Sequence, residues 1–268
     1  MWHPSGVTIQ VIAHRGANEE EPEHSLAAYM RALDEGADAV ECDVRLTADG
    51  TLVCVHDRRV DRTSTGRGVV SSMTLLELQK QDFSGGPSVW RDFEEPAPDP
   101  TRTQVLTLQV LLATLLESSP TIGFSIETKH PTRYGAYVER ALVDLLEYFG
   151  LMRQVADSEP RVRMMSFSPW ALRRLHTMAP GTPTVLLMGH VLPWRRDGSL
   201  PRGVDIAGIS VDYLRAHPEY VERAHLRGAG VHVWTVDTPA DVRLCLDLGV
   251  EAIISNRPAM VRSMVPPA

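Results

Sequence analysis

The chain has 268 residues, a formal net charge of −7 and an isoelectric point near 5.8. This length fits one large α/β domain, and the acidic balance argues against sequence-independent binding of nucleic acid, which needs a basic surface. No apolar run approaches the ~20 residues of a membrane span, the first expected strand leaves no room for a signal peptide, and three cysteines are too few for a disulfide framework, so a cytoplasmic location is predicted.

Apolar runs of strand length recur along the chain and alternate with helical patterns. The predicted strands cover residues 9–13, 38–44, 122–128, 162–167, 184–188, 207–211, 231–236 and 252–255. Apolar residues at helical spacing predict helices over 26–33 and 138–149. A further helix is predicted over 242–248, where Thr238 supplies an N-cap and Pro239 a first-turn proline.

Eight strands in about 250 residues, mostly separated by helices, predict a (β/α)₈ TIM barrel. A doubly wound open sheet is the competing architecture. No Gly-x-Gly-x-x-Gly follows the first strand, which weakens a dinucleotide-binding version of that sheet.

The segment between the second and third strands is longer than one strand–helix unit needs. It contains a predicted β-hairpin over 45–56, then a polar stretch, a Pro-rich loop over 96–100, and a helix over 106–116. We therefore predict a single domain over residues 1–268, with a small subdomain inserted at about 45–105 on the face where barrels build their sites.

Carboxylates lie towards the ends of the second and third predicted strands. Glu41 and Asp43 are two residues apart, so their side chains share one face of the strand, and Glu127 lies near the end of the next strand. Taken singly, these acids could simply pair with Lys129 and neighbouring arginines. Together they would bury unpaired charge at a cost of several kcal/mol per ion. A divalent metal held by Glu41, Asp43 and Glu127 removes that cost, and all-oxygen ligation favours Mg²⁺ or Ca²⁺.

Cationic and imidazole groups lie beside these acids. His14 and Arg15 follow the first strand, and His56 follows the hairpin. A single histidine at a strand end is more often a capping or packing residue. Beside a metal, however, Arg15 and Lys129 would neutralise a bound phosphate, and two histidines would move protons.

Short stretches distributed over nearly the whole chain carry a family resemblance. They are His14-Arg15-Gly16-Ala17, Pro22-Glu23, Gly36-Ala37-Asp38, Glu41-Cys42-Asp43-Val44, Thr47-Ala48-Asp49-Gly50, His56-Asp57, Arg62-Thr63, Glu127-Thr128-Lys129, Ser166-Phe167, Val233-Trp234-Thr235-Val236 and Ile254-Ser255-Asn256-Arg257-Pro258. In these stretches the sequence resembles the glycerophosphodiester phosphodiesterases, and the stretches between residues 14 and 63 are the most specific.

This resemblance implies a barrel that hydrolyses glycerophosphodiesters to glycerol 3-phosphate and an alcohol, with a divalent metal as cofactor. The implied site consists of the acid/base pair His14 and His56, the metal ligands Glu41, Asp43 and Glu127, the phosphate contacts Arg15 and Lys129, and a glycerol-pocket wall at Trp234. His24 stands where the family usually has Asn, and Asn256 stands where Asp is frequent. These departures bear on substrate and rate more than on the chemistry.

Two charged segments near the site have alternative explanations. The acidic residues 19–21 are either a solvated loop or a rim that favours an alcohol with a cationic group, as in glycerophosphocholine. The basic cluster of Arg58, Arg59, Arg62 and Arg67 is either a solvated face or a guide for an anionic substrate.

Two other functions fit the same barrel. A phospholipase D-like hydrolase of lysophospholipids or sphingolipids would need an apolar groove, for which Val89, Trp90 and Phe93 are the only candidates. A non-catalytic binding module is disfavoured because the histidines and carboxylates are intact. The sequence does not specify the alcohol, the metal or the oligomeric state.

Overall fold

The strands close into a barrel in the computed structural model, which describes residues 9–85, 99–152 and 160–265. β1 (Gln10–His14) pairs in parallel with both β2 (Ala39–Leu46) and β9 (Ala252–Ser255), and this double pairing joins the two ends of the sheet. The other parallel strands are β4 (Gly123–Thr128), β5 (Val162–Ser166), β6 (Thr184–Met188), β7 (Ile206–Ser210) and β8 (Gly230–Trp234). The closed sheet confirms the TIM barrel and excludes the open doubly wound alternative.

Helices separate most of the barrel strands, whereas the connection from β6 to β7 contains only a short 3₁₀ helix over Pro193–Arg195. The α-helices are α1 (Leu26–Asp34), α2 (Leu75–Leu78), α3 (Pro100–Thr103), α4 (Leu108–Ser118), α5 (Tyr137–Tyr148), α6 (Pro169–Met178), α7 (Val211–Ala216), α8 (Glu219–Leu226), α9 (Pro239–Leu248) and α10 (Pro258–Met264). The start of α9 follows the prediction, since the Thr238 side chain accepts the Asp241 N–H and Pro239 occupies the first turn. None of the described helices is both long enough and apolar enough to cross a membrane.

Strand alternation divides the core into two layers. Ala39 of β2 belongs to the small apolar cluster inside the barrel, together with Ile12 and Ile254. Val40 and Cys42 of the same strand belong to the large cluster that includes buried residues of the surrounding helices. Successive side chains on a strand point to opposite faces, so Glu41 and Asp43 follow Ala39 into the barrel interior towards its C-terminal end.

The segment between β2 and β4 begins with the predicted hairpin. β3 (Leu52–Cys54) runs antiparallel to the end of β2 and lies outside the closed barrel. A third apolar cluster, which includes Val60, Leu78 and Phe83, lies in this segment. On the basis of this separate small core we propose that residues of about 45–105 are a subdomain inserted into a single domain. Residues 96–98 of the predicted Pro-rich loop lie outside the described residues.

Candidate active site

The register of neighbouring strands brings the three predicted carboxylates together. Parallel pairing of β2 with β4 places Asp43 directly beside Glu127, and Glu41 lies two residues before Asp43 on the same face. One potential ligand atom from each residue lies within 4.8 Å of the others, and all three residues are buried. Three converging carboxylate oxygens suit a hard divalent cation.

The electrostatics of this carboxylate cluster support that fit. Burial, reinforced by the neighbouring Asp43 charge, raises the pKa of Glu41 well above its usual range. Burial and Asp43 likewise raise the pKa of Glu127 to about 8. Burial alone would also raise the pKa of Asp43, but the hydrogen bond from His24 and the charge of Lys129 help to hold it well below its usual range. A divalent cation would offset the repulsion among the three acids, so the residues present fit a metal ion.

Two predicted phosphate-binding cations contact the same cluster. Lys129 Nζ lies 3.2 Å from Asp43 Oδ1 and 2.9 Å from Glu127 Oε1. Arg15 Nε lies 3.2 Å from Asp43 Oδ2, and the Arg15 backbone N–H donates to Glu41 Oε2 at 3.1 Å. Of the ion pairs considered from the sequence, Asp43 with Arg15 and Glu127 with Lys129 exist and lie at the carboxylate cluster itself. Arg45 instead donates to the His56 carbonyl. Groups that bind anions thus adjoin groups that bind a cation.

His14 is oriented by the loop that follows the last strand. Its Nδ1 lies 2.7 Å from Asn256 Oδ1, and the Asn256 amide nitrogen donates to Asp237 Oδ2 at 2.7 Å. Because an amide oxygen only accepts, His14 Nδ1 donates and its Nε2 carries the lone pair. His14 Nε2 lies 4.0 Å from Glu41 Oε2. Burial, with the charge of Arg15, lowers the pKa of His14 to about 4.

His56 is oriented by an ion-pair network that joins the inserted segment to the first strand end. His56 Nδ1 lies 2.7 Å from Asp57 Oδ1, so this nitrogen donates and Nε2 is again the lone-pair nitrogen. Arg62 donates to Asp57 at 2.6 Å and to the two oxygens of Glu23 at 2.7 and 2.8 Å. Glu23 in turn contacts Arg15 at 3.2 Å. Both histidines therefore have Nδ1 fixed by an oxygen acceptor.

His24, which was not predicted as a site residue, is buried against the carboxylate cluster. Its Nε2 donates to Asp43 Oδ2 at 2.9 Å, and its Nδ1 lies 2.8 Å from the Tyr29 hydroxyl. Sequence reasoning also missed the contacts of Glu23 and Asn256, although both lie in stretches that carry the family resemblance. Their partners are distant in sequence, so only the fold reveals these contacts.

The turn after β1 has an unusual backbone. Arg15 and His24 have φ values of 55° and 60°, which non-glycine residues seldom adopt, and the His24 N–H donates to the Arg15 carbonyl at 3.1 Å. At Gly16, a Cβ atom would lie 2.6 Å from the carbonyl carbon of Ala28, so only glycine fits. Such conformations cost about 1–3 kcal/mol each and cluster at functional sites.

Trp234 lies at the end of β8, beside Phe167 at the end of β5. Their rings meet edge to face with centroids 5.5 Å apart, and Lys129 Nζ lies 5.8 Å from the Phe167 centroid. The buried indole Nε1 of Trp234 has no hydrogen-bond partner among the described residues. The structure thus places Trp234 near the charged cluster, where its indole ring offers an apolar face and its Nε1–H is a hydrogen-bond donor without a partner among the described residues.

The acidic loop is neutralised residue by residue. The three ion pairs are Glu19 with Arg257, Glu20 with Arg31, and Glu21 with Arg102. This pairing leaves little net negative charge to attract a cationic alcohol. The apolar residues Val89, Trp90 and Phe93, on which the lipid-hydrolase alternative depended, lie outside the described residues.

Known proteins match this chain over both the barrel and the inserted segment. A model described as the glycerophosphoryl diester phosphodiesterase family matches residues 14–260. A Mycobacterium tuberculosis protein named as a probable glycerophosphodiester phosphodiesterase is 42% identical over 253 residues, covering 94% of this chain and 91% of the relative. The glycerophosphodiester phosphodiesterase of Bacillus subtilis is 33% identical over 257 residues, covering 93% and 84%.

Solved structures show the same fold. The crystal structure of a glycerophosphodiester phosphodiesterase from Agrobacterium tumefaciens superposes with a TM-score of 0.73 at 27% identity, covering 95% of this chain and 99% of that one. The structural likeness and the sequence relatives together confirm the resemblance found in the sequence.

Proposed function

The chain belongs to the glycerophosphoryl diester phosphodiesterase family, and from this membership and its site we infer that it is a metal-dependent enzyme that hydrolyses glycerophosphodiesters to glycerol 3-phosphate and an alcohol. The observation that carries this conclusion is the buried cluster of Glu41, Asp43 and Glu127, which lies beside two cations and two oriented histidines. A site of this composition suits phosphodiester hydrolysis, in which charge is neutralised at the phosphate while protons move at two oxygens.

The proposed metal ligands are Glu41, Asp43 and Glu127. Their all-oxygen donor set favours Mg²⁺ or Ca²⁺ over metals that prefer imidazole or thiolate. When bound there, such an ion would supply Lewis-acid polarisation of a phosphate oxygen. Arg15 and Lys129 would contact the remaining phosphate oxygens, since both already pair with anionic oxygens at this position.

The proposed acid/base pair is His14 and His56. One imidazole is neutral and takes a proton at Nε2 from the attacking water. The other is in the imidazolium form and gives its Nε2 proton to the oxygen of the leaving alcohol, so the proton count balances. Both rings have Nδ1 engaged by Asn256 or Asp57, which leaves Nε2 of each ring for this transfer. Trp234, packed against Phe167, would form a wall for the glycerol carbons.

Removal of metal tests the conclusion. Treatment with EDTA should abolish hydrolysis of glycerophosphodiesters, and added Mg²⁺ or Ca²⁺ should restore it. Full activity after exhaustive chelation would contradict the metal assignment.

The histidine assignment predicts a loss of turnover without loss of folding. His14→Ala and His56→Ala should each lower kcat by about 10²–10⁴-fold, the usual contribution of a positioned proton donor or acceptor. His176→Ala is the matched control because His176 is an exposed histidine on the barrel-covering helix α6. Turnover near the wild-type rate in either active-site variant would show that another group moves the proton.

We further propose a cytoplasmic location and a small-molecule substrate. Cys42, Cys54 and Cys245 are all free and buried, as is common in a reducing compartment. Detection of the protein in a fraction other than the cytosol after cell fractionation would contradict this location.

A further inference from the structure

A groove of about 520 Å³ adjoins the carboxylate cluster on the side of the inserted segment. Its walls include Ser71 and Ser72 from the insert and the loop that follows β4. Lys129 belongs both to the groove and to the carboxylate cluster, because its Nζ contacts Glu127. Arg45 also lines the groove and donates two hydrogen bonds to the His56 carbonyl. The groove therefore begins where the proposed reaction takes place.

The lining of this groove is cationic. Arg45, Arg58, Lys129 and Arg133 all line it, and none of the described residues that line it is acidic. Arg58 and Arg133 are exposed, and neither contacts a carboxylate among the described residues. Arg133 donates to the Ser72 hydroxyl at 3.5 Å, and its guanidinium carbon lies 5.8 Å from the centroid of the Tyr134 ring. Two guanidinium groups thus line the groove without a carboxylate partner in the part of the chain that the structure describes.

Two arginines close to Arg58 in sequence are paired with acids. Within the basic cluster predicted from the sequence, Arg62 binds Glu23 and Asp57, and Arg59 binds Asp61. Arg58 differs from these two neighbours because it faces the groove and has no acid partner among the described residues. Arg67, the fourth member of that cluster, is exposed and has no acid partner among the described residues, but it does not line the groove.

We propose that this groove binds the alcohol part of the substrate, and that it selects an alcohol that carries a phosphate group of its own. This inference rests on the proposed function, since the alcohol is the group that leaves the phosphodiester. Guanidinium groups bind phosphate oxygens through paired N–H donors, and the hydroxyls of Ser71 and Ser72 can add donors. A neutral alcohol would leave Arg58 and Arg133 without a partner, and a cationic alcohol would be repelled.

A matched pair of substrates tests this selection. The kcat/KM of glycerophosphoinositol 4-phosphate is compared with that of glycerophosphoinositol, because the two differ only by one phosphate. We expect the wild type to prefer the phosphorylated substrate. Arg58→Gln and Arg133→Gln should each reduce that preference by about 3–10-fold, as expected for loss of a charge-assisted contact at a partly exposed position. The preference should also shrink as salt rises.

Arg243→Gln is the control, since Arg243 is an exposed arginine on α9 and does not line the groove. Binding of inositol 4-phosphate, measured by calorimetry, gives a readout that needs no turnover. Loss of this binding in the Arg58→Gln/Arg133→Gln double variant would support the proposed phosphate selectivity of the groove. A failure of the wild type to hydrolyse either diester would count against the proposed function but not against this binding result. Equal binding and an unchanged substrate ratio in the double variant would overturn the proposal.

Discussion

His24 lies between Asp43 and Tyr29 and is almost completely buried. Its donation to a carboxylate that we propose as a metal ligand gives it a positioning role. Groups of this kind orient the ligand, and their removal typically lowers metal affinity by about 10–100-fold. We therefore expect His24→Ala to weaken binding of Mg²⁺ or Ca²⁺ by about this factor, as measured by calorimetry.

The Asn that the family usually carries at this position provides a second variant. His24→Asn restores a side-chain amide donor, so its metal affinity should lie between that of the wild type and that of His24→Ala. His176→Ala should bind metal as the wild type does. Wild-type affinity in His24→Ala would show that Asp43 is held in place without His24.

Features of the site that are local in sequence can be predicted, whereas contacts made when the barrel closes cannot. The spacing of Glu41 and Asp43 was enough to predict that their side chains share one face, because strand alternation is local. The contact of His14 with Asn256 was not predictable in this way, since the two residues are 242 positions apart and meet only when the barrel closes. The sequence shows the departures at His24 and Asn256 but not the residues that these side chains contact.

At the scale of elements, the strands were predicted more closely than the inserted segment. Each barrel strand is a short apolar run with a clear pattern, and the prediction for β6 matches the structure at both ends. The loop after the hairpin carries no periodic pattern, because its positions depend on ion pairs. The sequence shows Arg62 only as one member of a basic cluster, whereas in the structure Arg62 joins Glu23 to Asp57.

This network has a predictable dependence on pH. Burial alone would raise the pKa of Asp57 and of Glu23, but hydrogen bonds and the charge of Arg62 outweigh burial and lower both to about 2. Because these folded-state values lie below the unfolded ones, the stabilisation is present above the unfolded pKa values and is lost as pH falls towards the folded ones. Arg62 is half exposed, so we expect Arg62→Gln to cost about 1 kcal/mol or less near neutral pH.

Denaturant unfolding of the wild type and Arg62→Gln at several pH values measures this effect. The difference in unfolding free energy should decline as the pH falls from about 5 to about 3. Arg243→Gln, which removes an exposed arginine from α9, should show no such trend. A difference that stays constant over this range would mean that Arg62 stabilises the fold by packing rather than by charge.

At the scale of the whole molecule, counting strands favoured the barrel but left an open doubly wound sheet as an alternative, and it could not show how the insert meets the barrel. Closure is seen only in the pairing of β1 with both β2 and β9. Glu41, Asp43 and Glu127 face the barrel interior because the residues just before them, Val40, Cys42 and Ile126, pack in the cluster between the strands and the helices. This alternation places three acids in a buried position, which the fold tolerates only with compensating charge. Stability and metal binding should therefore be linked.

Binding of a divalent cation to the folded state alone raises its stability by mass action, by about 2.7 kcal/mol at a hundredfold excess over Kd. For a chain of this size we expect a rise in Tm of about 5–10 °C on adding Mg²⁺ or Ca²⁺ to EDTA-treated protein, measured by scanning calorimetry. In Glu127→Gln, one of the three mutually repelling acids is removed, so the metal-free variant should melt no lower than the metal-free wild type. The same variant should show little rise on adding metal, because a proposed ligand is gone. An equal rise in both proteins would place the stabilising ion elsewhere, and no rise in either would contradict a metal site at the carboxylate cluster.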